Sequence, residues 1–163
     1  MHIGKNIITI ILWALPALVS ASGQALDIPM QVKGSNTFYI TGVIPGTAPS
    51  SFMVDTGSSY MTINQDTLEA LRAIDGVEYR RDIVGVLASG EERRVPIYRI
   101  ATLLLGSRCL LNDVEVAVFP GKTRQILGLN VLRRTSPFQF SVDPPSLRLN
   151  NCSQQLSKQE FGE

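Results

Sequence analysis

Phe52-Met53-Val54-Asp55-Thr56-Gly57-Ser58-Ser59 runs three apolar residues into an acid, a hydroxyl residue, a glycine and two further hydroxyls. The apolar triplet reads as the end of a strand, with the carboxylate delivered at its terminus. Burying a charge costs several kcal/mol unless a partner or hydrogen bonds offset it. An acid buried at a strand end is therefore a site candidate on physical grounds alone. The bland alternative is a turn closed by an Asx hydrogen bond. Asp-Thr-Gly occurs once in the chain; Asp66-Thr67-Leu68 lacks the glycine.

Outward from this stretch the hydrophobic period is mostly two. Phe38, Ile40, Gly42 and Ile44 alternate with Tyr39, Thr41 and Val43 as one strand. Pro45–Pro49 turns, and Ser51–Val54 is the second arm of that hairpin. Tyr60–Ile63 leaves the motif as a short strand. One helix follows, with Asp66 as cap, Glu69 completing a capping box, Leu68 and Leu71 on one face, and Gly76 past the end. A long hairpin spans roughly Asp82–Leu105, turning at Ala88-Ser89-Gly90-Glu91. Val114, Val116 and Val118 mark a further strand, and Ile126-Leu127 a short buried one. Asn130–Arg134 reads as a helical turn. Phe138, Phe140 and Val142 face one way, and Leu147–Leu149 returns as the last strand. Many short strands, frequent turns and little helix indicate a mainly β, closed or partly closed domain. The domain is expected over residues 26–152, followed by a polar tail over 153–163.

Composition narrows the chemistry. The chain has 163 residues, 44% of them hydrophobic, enough for one globular core, and a net charge of +1. No basic run points to nucleic acid. His2 is the only histidine, and it lies within the first 25 residues, outside the expected domain. That removes Ser-His-Asp and Cys-His catalysis and any zinc site needing histidine, and two cysteines cannot build a four-thiolate site. No glycine-rich phosphate loop is present, so no metal or cofactor is implied. Carboxylates, hydroxyls, amides and lysines remain.

The first 25 residues read as a secretory signal. Ile7–Val19 is apolar but for Thr9 and Pro16, and small residues follow, with cleavage expected after Ala21 or Ala25. The run is shorter than the ~20 residues of a membrane span. Periplasmic or secreted localisation follows, the alternative being an uncleaved anchor that holds the domain facing the periplasm. Cys109 and Cys152 suit one disulfide in an exported chain; two free thiols and a bond between subunits are the alternatives.

Asp55-Thr56-Gly57-Ser58, the glycine-tipped hairpin at Ser89-Gly90, and Ile126-Leu127-Gly128-Leu129-Asn130 together resemble the retropepsin-like aspartic proteases, the retroviral-type branch of the pepsin clan, in their exported bacterial form. The resemblance covers roughly Gln31–Leu149. It implies a single-lobe acid-protease barrel with one or two short helices, active as a two-fold dimer. Asp55, Thr56 and Gly57 then form the catalytic loop. Ile126, Leu127 and Gly128 pack beneath it, and Ser58 is expected to reach the outer carboxylate oxygen. Ala88, Ser89 and Gly90 form the flap over substrate. Arg80-Arg81 and Arg93-Arg94 read as solvated surface.

Peptide hydrolysis in this class needs two carboxylates that share one proton. A chain with one Asp-Thr-Gly supplies half of that pair. The expected function is therefore an aspartic endopeptidase acting on exported proteins or peptides, with Asp55 contributed by each subunit of a homodimer. The alternative is a peptide-binding or adaptor dimer, weakly active or inactive, on the same fold.

Overall fold

The computed structural model describes residues 25–154. The apolar run at 7–19, the cleavage position at Ala21 and tail residues 155–163 lie outside them. In chain order the elements are β1 (Leu26–Pro29), β2 (Gln31–Lys33), β3 (Thr37–Val43), β4 (Ser50–Val54), β5 (Met61–Asn64), α1 (Gln65–Arg72), β6 (Val77–Val86), β7 (Glu92–Leu105), β8 (Cys109–Phe119), β9 (Ile126–Leu127), α2 (Leu129–Leu132) running into a 3₁₀ turn (Arg133–Thr135), β10 (Gln139–Val142), β11 (Pro145–Leu149) and β12 (Ser153–Gln154).

The main sheet closes on itself. Neighbours run β8-β5-β9-β4-β3-β7, and β7 pairs back onto β8 along most of its length. This is the expected mainly β barrel with two short helices. Alternation puts Phe52 of β4, Met61 and Ile63 of β5, Leu103 and Leu105 of β7 and Leu127 of β9 inside, all fully buried. A smaller sheet, β1-β11-β10, packs at one end. There Arg148 grips both oxygens of Asp27 across the β1–β11 pair at 2.9 and 2.8 Å. Cys109 and Cys152 form an intrachain disulfide. Ser153–Gln154, expected as the start of the polar tail, instead pair with β8 beside that bond.

Several local readings change. The cap of α1 is Asn64, whose Oδ1 accepts from Thr67 N at 3.0 Å and Thr67 Oγ1 at 2.8 Å, while Asp66 sits in the first turn. Both residues favour caps, and β5 ends at Asn64, which places that side chain first. Past the helix, Gly76 N donates to Leu71 O, but the left-handed residue is Asp75, at φ 52°. The hairpin starts five residues earlier than the sequence suggested, at Val77, because polar Glu78, Arg80 and Asp82 conceal an exposed strand. Phe140 and Val142 are exposed; Phe140 is held edge-on to Phe38 with ring centres 5.0 Å apart.

Candidate active site

β9 lies between β4 and β5, parallel to the first and antiparallel to the second. The connection from β4 to β5, residues 55–60, must therefore arch over the end of β9. This crossing makes the site. Asp55 N donates to Leu127 O at 3.1 Å, extending the β4–β9 pairing by one residue and fixing where the carboxylate emerges. Gly57 N donates to Asp55 Oδ1 at 2.9 Å, which holds the carboxylate against the loop. From below, Leu129 N donates to Ser58 O at 2.8 Å and Asn130 N to Ser59 O at 3.1 Å.

Gly128 is what lets the loop come so close. A Cβ there would stand 2.3 Å from Tyr60 O and 2.9 Å from Ser58 O, both backbone atoms. Its conformation is ordinary extended backbone, so the requirement is for space alone.

Asn130 completes the support. Its Oδ1 accepts from Met61 N at 2.7 Å and its Nδ2 donates to Glu115 O at 2.7 Å, tying α2 to the start of β5 and to β8. The sequence drew attention to Asn130 only as part of the motif after Gly128; nothing local shows that its amide bridges two strands.

Ser58 does not reach the carboxylate. Its Oγ donates to Tyr60 O at 2.9 Å, so the hydroxyl closes the loop instead. Asp55 is half-buried rather than buried, and Thr56 and Gly57 are exposed. These three residues stand at the protein surface, with the carboxylate open to a cleft.

That cleft holds about 610 Å³. Asp55, Gly57, Ser58 and Ile126 line one side, Val86, Leu87 and Ala88 of the hairpin another, and Thr62, Phe119, Thr123 and Arg124 the remainder. A neighbouring hollow of about 410 Å³ runs along Val84–Leu87 under the hairpin arm. Of the hairpin-tip residues singled out in the sequence, only Ala88 faces Asp55 across the cleft. Ser89 and Gly90 form the turn itself, where Gly90 N donates to Leu87 O at 2.8 Å and Gly90 takes φ 84°.

The base of the hairpin is tied to the same loop. Arg81 bonds both oxygens of Glu115 at 2.5 and 2.8 Å and Tyr60 Oη at 3.2 Å. The Arg81 hydrogen bonds hold the Glu115 carboxyl below the usual glutamate range. Arg81 is thus a surface residue with a fixed partner rather than a freely solvated one.

The comparisons with known proteins agree with this geometry. Residues 40–134, more than half of the chain, match the family described as "gag-polyprotein putative aspartyl protease". The chain belongs to this aspartyl protease family. The matched span holds Asp55-Thr56-Gly57, the hairpin and Ile126-Leu127-Gly128. Among solved structures, a retropepsin-like aspartic protease from Rickettsia conorii superposes with a TM-score of 0.59 at 19% identity, over 83% of this chain and 99% of that one. The retroviral protease-like domain of Ddi1 from Leishmania major superposes with a TM-score of 0.50 at 19% identity, over 76% and 97%. At that identity the likeness establishes the retropepsin-like fold. No curated protein sequence matches the chain significantly.

Proposed function

We propose that this aspartyl protease family member is an exported endopeptidase whose active site forms between two copies of the chain. The observation that carries the reading is the half-site: among the described residues Asp55 is the only carboxylate lining its cleft, and Thr56 and Gly57 beside it stand exposed. A second copy brought up along a two-fold axis supplies the second Asp55 and covers that surface.

Two carboxylates at contact distance cannot both ionise, so the pair holds one proton between them. The ionised Asp55 takes a proton from a water lodged between them, and the water oxygen attacks the peptide carbonyl carbon. The protonated Asp55 gives its proton to the carbonyl oxygen, leaving a neutral tetrahedral diol. Collapse of the diol breaks the C–N bond as a proton passes to the departing nitrogen. Gly57 N–H holds the Asp55 carboxylate in position. The hairpin arm closes the cleft over an extended peptide and excludes bulk water. The pair titrates as a unit, so activity is expected to follow a bell-shaped pH profile.

Export is supported by the apolar segment at 7–19 and by the Cys109–Cys152 disulfide, which suits an oxidising compartment. The substrates would then be exported proteins or peptides.

The test is cleavage of a peptide library from acid to neutral pH by the parent and by Asp55→Asn, with and without a statine inhibitor. Loss of a general acid–base group predicts a fall of about a thousandfold or more in kcat/KM with an unchanged circular dichroism spectrum. Sedimentation over a dilution series should show activity disappearing as the dimer does. Tight peptide binding with no cleavage at any pH would favour the adaptor instead.

A further inference from the structure

Among the described residues Arg124 is the one cationic side chain lining the cleft that holds Asp55. Its backbone is fixed on both sides. Asn64 Nδ2 donates to Thr123 O at 3.4 Å, Thr62 Oγ1 to Arg124 O at 3.4 Å, and Met53 N to Gln125 O at 3.0 Å. The guanidinium lacks a matching anchor. Hairpin arginines Arg80, Arg81, Arg93 and Arg94 each pair with a carboxylate. Arg124 has no carboxylate within ion-pair distance among the described residues, and its Nη1 meets only Met53 Sδ, at 3.4 Å. A thioether is a weak acceptor, whereas a guanidinium matches a carboxylate in a two-pronged geometry. Val86, Leu87, Phe119 and Ile126 make the rest of the wall mostly apolar.

We propose that Arg124 is a specificity-determining residue that selects peptides with an acidic side chain close to the scissile bond. The inference rests on the cleft being a peptide site. The apolar wall takes the methylenes of a glutamate, and Arg124 takes its carboxylate. In a two-fold site each half carries its own Arg124, so an acid is favoured on either side of the cleaved bond.

Two peptides differing only in Glu or Gln beside the scissile bond test this. At pH 6 the parent is expected to favour the Glu peptide in kcat/KM by roughly three- to tenfold. The ratio should fall to about one near pH 3, where a glutamate of ordinary pKa (about 4.3) is neutral and resembles glutamine. Arg124→Gln should bring the pH 6 ratio to about one, Arg124→Lys should retain part of it, and Arg124→Glu should shift preference toward a Lys peptide. A parent ratio of one at pH 6, or a preference that survives Arg124→Gln, overturns the proposal while leaving the protease reading intact. If neither peptide is cleaved, fluorescence anisotropy of the labelled peptides decides. Tighter binding of the Glu peptide that Arg124→Gln removes upholds the charge selection and sinks the protease reading. Equal binding, or none, overturns both.

Discussion

The loop after β4 and the tip of the β6–β7 hairpin face each other across one cleft but are held in opposite ways. The loop is pinned from beneath by three main-chain hydrogen bonds and by the Asn130 amide, with Gly128 pressed against its carbonyls. The hairpin tip projects as a two-stranded ribbon. Val84 and Val86 are 66% and 70% exposed, and a side chain added at Gly90 would meet nothing within 4 Å. The contrast fits the division of labour in peptide hydrolysis. A reacting carboxylate gains from a fixed position, while the wall opposite must move to admit and release a chain. Local stability in a fold is uneven for this reason, and mobile elements come from its weakly packed parts.

The sharpest way to break the comparison is to place one methyl group in each region. Gly128→Ala drives a Cβ into two backbone carbonyls that have no room to retreat. It is expected to cost about 3 kcal/mol or more in urea denaturation, or to prevent folding. Gly90→Ala meets open space and bears only the strain of φ 84°, about 1–2 kcal/mol. Equal losses at the two positions would mean that the loop is no more rigid than the tip.

A smaller effect tests the underside of the loop. Asn130→Ala removes the acceptor of Met61 N and the donor to Glu115 O. Leaving those groups unpaired should cost about 2–3 kcal/mol. It should also lower kcat more than it raises KM, since the loop loses position while the cleft walls stay.

The smallest effect lies where the two regions are joined. Arg81 bonds Glu115 and Tyr60, linking the hairpin base to the end of the loop. The Glu115 carboxyl is held below its usual range, so its contribution to stability is present above the unfolded value and fades as pH falls through the folded one. The pair is on the surface, so Glu115→Gln should lower Tm only slightly at neutral pH. The gap between parent and variant should close in acid. A gap that instead widens toward acid would contradict the assigned pairing.

Much of this was legible in sequence because it is local or motif-borne. Asp55-Thr56-Gly57 and Ile126-Leu127-Gly128 carry their residue types in contiguous runs, and the period of two marked β3 and β8. The misreadings each involve a choice between near-equal local options. Asn64 and Asp66 are both good caps, and the Ser58 hydroxyl had two acceptors within a short reach. Strand β1 was missed because Leu26–Pro29 adjoins the signal and its partner β11 lies more than a hundred residues away.

By itself the sequence determined that this chain is a β domain carrying one carboxylate motif, with its single histidine, His2, outside that domain. Period, residue type and count suffice for that, since they do not depend on which strands meet. Only the tertiary structure decided that β9 threads between β4 and β5, and that a Cβ at Gly128 would collide with the carbonyls of Tyr60 and Ser58. It also decided that Arg81 bonds Glu115 and that Arg124 faces the Asp55 cleft. Those contacts join residues tens of positions apart, and chain closure over such distances is fixed by packing of the whole barrel rather than by any local preference.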